Sequence, residues 1–234
     1  MFAIYKRELT SYFTSTLGYI FMAVFLALSG AIVWFANFFS ATTSFANYFF
    51  IMIFFFIILI PILTMRLLSE ERRTKTEQLL LTSPVSLFGI VFAKFMAALT
   101  LFETTFAISL LNLIPVSLYG TVNNAELISN FIGVSCVAMA LIAIGLFISS
   151  LTESQFISAI GSIAVILATL LVGVFSSSIP SDFIRVFIKW FSILDRFVNF
   201  RHGIFDVSSI VYYVSLSAIF IFLTVRVYEK RRWS

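Results

Sequence analysis

The chain has 234 residues, of which 61% are hydrophobic and 11% charged, with a formal net charge of +4. Soluble domains carry about 25% charged residues, so this composition excludes a soluble enzyme, a disordered tail and a nucleic-acid-binding domain, and leaves a polytopic membrane protein. The single cysteine, Cys136, and the single histidine, His202, exclude an internal disulfide and any cysteine-based or multi-histidine metal site.

The N-terminal stretch comes first. Phe2, Tyr5, Leu9, Tyr12 and Phe13 follow helical spacing on one face, and Lys6, Arg7, Thr10 and Ser11 lie largely off it. Residues 1–15 read either as an amphipathic helix lying in the inner interface or as a basic topogenic flank with no further role.

Six apolar runs follow, over residues 17–39, 45–65, 87–118, 131–150, 156–175 and 210–225. Each approaches or exceeds the roughly 20 residues a helix needs to cross the hydrocarbon core. The runs are continuous rather than alternating, so they predict helices and not barrel strands. The first is too long for a signal peptide, has Glu8 in its flank and lacks a small-x-small cleavage site. With the N-terminus inside, ten of the fifteen Lys and Arg residues fall in cytoplasmic segments and the two short external loops hold none. Both termini are then cytoplasmic.

Between the second and third runs, residues 66–86 carry a dense charge cluster, three leucines and a stop. Ser69 is placed to cap a helix, with Glu70 and Glu71 in its first turn. Pro84 ends it. The pattern predicts a cytoplasmic helix of about four turns over 69–83, with Leu79, Leu80 and Leu81 at one end. It is either a docking surface for a cytoplasmic protein or a solvated charged loop.

The third run holds two charges. Lys94 lies near the inner surface and is expected to snorkel there. Glu103 lies about 24 Å along the helix, near mid-membrane, where a carboxylate costs at least about 2.5 kcal/mol unless it pairs, faces a cavity or is protonated. It is a candidate translocation-path residue, or a buried acid hydrogen-bonded to Thr100, Thr104 or a neighbouring helix. Small-residue spacings that permit close helix contact occur at Gly145/Ser149, Ala164/Ala168 and Gly173/Ser177, consistent with a path formed between two copies.

Before the last run, Phe183, Phe187, Trp190, Phe191, Leu194, Phe197 and Val198 recur at three- and four-residue steps. Asp182, Arg185, Lys189, Ser192, Arg196 and Asn199 take the other face. An external amphipathic or re-entrant helix over 181–200 follows, ended by His202-Gly203. Phe187, Trp190, Phe191 and Leu194 are candidates for an external gate; the alternative is a passive interfacial anchor. No phosphate loop, Gly-x-Ser-x-Gly or HExxH motif occurs, so the chain is not expected to be an enzyme, and any ATP is bound by another chain.

The segment Glu71-Arg72-Arg73-Thr74-Lys75-Thr76-Glu77-Gln78-Leu79-Leu80-Leu81-Thr82-Ser83-Pro84-Val85-Ser86 resembles the coupling segment of ABC-2 type ABC transporter permeases. Lys75 stands where that family usually has Gly, and Gln78 where it has Glu. The start, Phe2-Ala3-Ile4-Tyr5-Lys6-Arg7-Glu8-Leu9 with Ser11-Tyr12-Phe13 and Leu17-Gly18-Tyr19, is similar to the gliding-motility-type subfamily. So is the end, with Phe200-Arg201-His202-Gly203-Ile204-Phe205-Asp206-Val207, Val211-Tyr212-Tyr213 and Glu229-Lys230-Arg231-Arg232-Trp233. The resemblance implies an all-α polytopic membrane protein with six transmembrane helices, an N-terminal interfacial helix, a cytoplasmic coupling helix and short external helices before the sixth span.

It further implies a multi-pass permease of the bacterial cytoplasmic membrane, paired with a second permease half and two ABC ATPase subunits that bind ATP and Mg. Glu70, Glu71, Arg72, Arg73, Thr76, Glu77, Leu79, Leu80 and Leu81 would contact the ATPase. The aromatic, nearly charge-free spans favour an amphipathic or lipid-like cargo for export. The alternative is an ATPase-driven mechanical transmitter acting on an external accessory protein without transport. No nucleic-acid partner is expected.

Overall fold

The computed structural model of the chain describes residues 1–40, 42–76, 78, 85–118, 123–176 and 192–232. Among them the regular structure is helical, with no strand. Six helices are long and apolar enough to cross a membrane: Thr16–Phe38, Ala46–Arg73, Leu87–Ser117, Asn124–Leu151, Gln155–Val172 and Val207–Arg232. The protein is therefore an all-α polytopic membrane protein. The fourth span starts earlier than its apolar run suggests, because Asn123 caps it by accepting from Ala125 N at 3.1 Å and Glu126 N at 3.4 Å. The sixth span runs on through the charged residues Arg226–Arg232 as helix.

Helix α1 (Phe2–Thr14) turns at Ser15 into α2 (Thr16–Val33), whose last turn widens over Trp34–Phe38. Helix α3 (Ala46–Thr64) contains Pro61 and leads through a turn into α4 (Ser69–Arg73). Helix α5 (Leu87–Ser109) tightens over Leu110–Leu113 and resumes as α6 (Ile114–Ser117). Pro115 fits the change: it has no N–H to donate back to Leu111 in the α pattern, and it stands in the first turn of α6, where that donor is not needed. Helices α7 (Asn124–Leu151), α8 (Gln155–Ser176), α9 (Ile193–Arg201) and α10 (Val207–Arg232) complete the described chain.

Helix α7 is the hub, packing against α3, α5, α8, α9 and α10. Lipid tails are as apolar as leucine, so burial of apolar surface gives little drive between spans and close packing must hold them. An aromatic lattice supplies it. The Phe25 and Phe56 rings meet Phe102 edge-on at 5.6 and 5.2 Å, and Phe106 stacks on Phe131 at 4.9 Å. Contacts of this kind are worth about 0.5–1.5 kcal/mol each beyond area. Hydrogen bonds join the same helices: Tyr48 Oη pairs with Ser29 Oγ at 2.9 Å, and Asn112 donates to Ser29 Oγ at 3.1 Å.

The small residues have a use within the chain. A Cβ on Gly145 would lie 2.3 Å from Thr64 Oγ1, so its hydrogen lets the end of α3 press directly on α7. One turn on, Ser149 Oγ accepts from Leu68 N and Ser69 N, each at 3.2 Å, and donates to Met65 O at 3.3 Å. The Gly145/Ser149 pair thus seats the α3–α4 elbow on α7. The expectation that it joins two copies is corrected: both residues are buried inside one chain.

Candidate functional site

Two acids and two bases, Arg7, Glu8, Glu71 and Lys94, converge where α1, α4 and α5 meet. Lys94, two turns into α5, is 1% exposed. Its ammonium donates to Leu67 O at 2.9 Å and meets Glu71 Oε1 at 2.8 Å and Glu8 Oε1 at 3.2 Å. Three acceptors satisfy its three N–H groups, which is what a buried ammonium requires. Arg7 closes the cluster from outside, with Nη2 at 2.7 Å from Glu8 Oε1 and 3.1 Å from Glu71 Oε1. Two cations and two anions leave it neutral. Burial works against the charge of Glu8, but Lys94 and Arg7 more than offset that and hold its carboxyl below the ordinary value.

The expectation that Lys94 snorkels is therefore corrected. Two acids arrive from other elements at its own depth, so its charge is satisfied where it stands. Helix α1 docks through Ile4, Tyr5, Glu8, Leu9 and Tyr12, while Phe2 and Phe13 stay exposed. Tyr5 Oη pairs with Thr100 Oγ1 at 3.0 Å, and Tyr12 Oη donates to Leu63 O at 3.0 Å. The bundle-facing side is thus a mixed face that adds Ile4 and Glu8 to Tyr5, Leu9 and Tyr12, and leaves out Phe2 and Phe13 of the face read from spacing.

The elbow differs from its expected form. Helix α4 ends at Arg73 after five residues and the chain turns through 74–76, with Lys75 at a φ of 59°. A continuous helix over 69–83 is excluded by that turn. Lys75 is in the left-handed region, which glycine adopts without cost, and this is the position where the resemblance leads one to expect glycine. Ser69 does not cap α4; its hydroxyl donates back to Met65 O.

Glu70, Glu71 and Arg72, foreseen as docking residues, are occupied within the chain. Glu70 takes Arg66 in a two-point pair at 2.6 and 2.8 Å, Glu71 takes Lys94, and Arg72 takes Glu153 at 2.9 Å and Leu151 O at 3.0 Å. Arg73 and Thr76 are exposed, with Thr76 Oγ1 donating to Glu71 O at 3.3 Å. Glu77, Leu79, Leu80 and Leu81 lie outside the described residues. Between α1 and α4 an open groove of about 380 Å³ is lined by Arg7, Glu70, Glu71, Thr74 and Thr76.

At the opposite end, Glu126 Oε1 accepts from Ser44 Oγ at 2.7 Å and from Ala46 N at 3.0 Å, capping α3. Arg201 donates to Asn47 Oδ1 at 2.8 Å and lies over the Phe50 ring. Helix α9 begins at Ser192, whose Oγ accepts from Asp195 N, and ends before Gly203, at a φ of 76°. Leu194 is 6% exposed and packs in the core with Phe197 and Phe200, so it is not presented to an opening. Of the described part of the expected apolar face, Leu194 and Phe197 turn to the bundle and Val198 stays exposed. Phe187, Trp190 and Phe191 lie outside the described residues. Midway along α5, Glu103 is half-buried and Ser135 of α7 donates to its Oε2 at 3.0 Å. That is the neighbouring-helix bond foreseen as one alternative, and it leaves the other open.

Residues 35–227 match the model of the family described as ABC-2 family transporter protein. The chain belongs to this family. A comparison with curated proteins gives no match. The protein is thus the membrane subunit of an ABC-2 transporter, a permease whose family normally keeps ATPase activity in a separate subunit and forms dimers in the membrane.

Among the residues of the charge cluster, the sequence reading singled out Glu71 as a site residue and missed Arg7, Glu8 and Lys94. A signal was present: a lysine inside a span with no acid on its own face, and an unassigned acid in the adjoining amphipathic helix, both near one membrane surface. The matched stretch starts after Arg7 and Glu8, so the permease family model itself carries no information on that half of the cluster.

Proposed function

We propose that the permease couples ATP hydrolysis, by two separate ABC ATPase subunits that bind ATP and Mg, to export of an amphipathic or lipid-like substrate across the bacterial cytoplasmic membrane. The end bearing α1 and α4 faces the cytoplasm, both termini lie there, and a second permease half completes the path. The start and end motifs favour the gliding-motility-type subfamily.

The observation that carries this reading is the buried Lys94, which ties α1, the α4 elbow and α5 at one point. An ATPase subunit pressing on the exposed tip at Arg73 and Thr76, with Leu79, Leu80 and Leu81 as its apolar anchor, meets a part that cannot yield locally. Glu71 is held by α5, Leu68 N and Ser69 N by α7, and Arg72 by the segment after α7. Displacement of the tip is then passed to α3, α5 and α7 together. Coupling of this type needs an element with two arrangements biased from both sites; here it is the position of this block against the second permease half. Glu103 is the candidate path residue.

Native mass spectrometry of the chain isolated with its neighbours tests the reading. Two permease chains with two ATP-hydrolysing chains are expected, and Leu79→Asp with Leu80→Asp should remove the ATPase while the permease stays in the membrane. Recovery of the permease without any ATP-hydrolysing chain would overturn it. An additional external protein, with ATP turnover stimulated by that protein and not by cargo, would favour mechanical transmission.

A further inference from the structure

We infer that the permease binds one anionic phospholipid at the junction of α1 and α5, independently of the coupling reading. A groove of about 340 Å³ runs there, lined by Met1, Phe2, Tyr5, Phe92, Ala93 and Met96. Phe88 extends its wall by stacking on Phe92 at 5.6 Å. The lining offers almost no polar group. The Tyr5 hydroxyl, its one polar side-chain atom, is already paired with Thr100 at 3.0 Å.

That lining selects the occupant. A peptide would bring backbone N–H and C=O groups that find no partner in the groove, at several kcal/mol each in an apolar setting. An acyl chain brings none. Depth agrees: Phe92 and Met96 stand five and nine residues beyond Leu87, about 8 and about 14 Å along the helix. Both lie inside the apolar stretch of the third span.

The charge beside the groove selects the headgroup. Lys6 is four residues after Phe2 and neighbours it one turn along α1, at the edge of the face that Phe2 and Tyr5 share. It is exposed and forms no ion pair among the described residues. Arg7, beside it, is spent on Glu8 and Glu71. Lys6 is thus an exposed cation next to a wall residue of an apolar slot, and the Met1 ammonium belongs to the lining itself; together they favour a lipid phosphate. An acyl chain in the slot braces α1 against α5 from the side opposite the Lys94 cluster.

The test uses the full chain in mild detergent, with phosphatidylglycerol or phosphatidylcholine titrated in and bound lipids counted by native mass spectrometry. The wild type should retain one phosphatidylglycerol per chain at about tenfold lower lipid concentration than phosphatidylcholine. Lys6→Glu should erase that difference. Met96→Trp should remove retention of both lipids at this site, with the thermal unfolding midpoint confirming that the chain is folded. A second groove variant, Phe2→Ala, removes an exposed wall and should weaken retention without touching the core. Equal retention of the two lipids by the wild type overturns the inference. So does a preference that Lys6→Glu abolishes but neither groove variant alters, since that is attraction to a surface charge and not occupancy of the groove.

Discussion

Lys94 of α5 and Glu71 of α4 meet at 2.8 Å with the lysine 1% exposed, and this pair fixes the elbow between the second and third spans to the third span itself. Breaking one side of a buried pair leaves an uncompensated charge and costs about 3–5 kcal/mol. Lys94→Met should therefore lower the thermal unfolding midpoint sharply and loosen α1, because Glu8 and Glu71 then share only Arg7, which reaches them from the exposed side. Glu8→Gln and Glu71→Gln added to Lys94→Met should recover much of the loss. An equal loss in the single and triple variants would show that Lys94 matters for its shape and not for its charge.

The cluster also sets a pH limit. Glu8 titrates below its ordinary 4.5, because Lys94 and Arg7 outweigh the cost of its burial. A depressed carboxyl gives stability that is complete above the ordinary value and is lost as pH falls through the value in the folded protein. Hydrogen-exchange protection of α1, corrected for intrinsic rates, should hold from pH 7 to about 5 and decline below about 4.5. In Glu8→Gln it should be weaker at neutral pH and flat across that window.

Lys75 holds a φ of 59°, a conformation that costs a residue with a side chain roughly 1 kcal/mol or more. Lys75→Gly should raise stability by about 1 kcal/mol, read as a higher midpoint of thermal unfolding. Lys75→Val should lower it, since a β-branched side chain tolerates this region least. Equal midpoints for all three chains would mean that the turn relaxes at no cost.

Gly145→Ala should separate α3 from α7, because the new Cβ would fall 2.3 Å from Thr64 Oγ1. The expected loss is about 1–3 kcal/mol, partly restored by Thr64→Ala. If Gly145 served contact between copies instead, the variant would change the oligomeric state at constant unfolding midpoint.

The six spans were legible because each is a long apolar run, a property of local sequence alone. The helix caps at Ser86, Asn123 and Ser192 rest on equally local chemistry, yet the apolar runs alone do not show them: the fourth run begins at 131, and Ser192 falls inside the expected 181–200 helix. Contacts between elements were not legible. Nothing near Lys94 in sequence announces Glu8, eighty-six positions away, and the lysine looked like a snorkelling residue because snorkelling needs no partner. The elbow was read as one long helix because its residues favour helix, while the left-handed turn at Lys75 is set by the way α4 is tied to α5 and α7. Gly145 and Ser149 announced a close contact by their spacing, but not with which helix.

The central claim is that α1, the α4 elbow and α5 move as one body when ATP is hydrolysed. Spin labels at Thr10 of α1 and Arg73 of α4, both exposed, can report the distance between them in the complete transporter, without nucleotide and trapped after hydrolysis. The account predicts one narrow distance, unchanged between the two states, that becomes broad in Lys94→Met. A distance that shifts between nucleotide states in the wild type would contradict it.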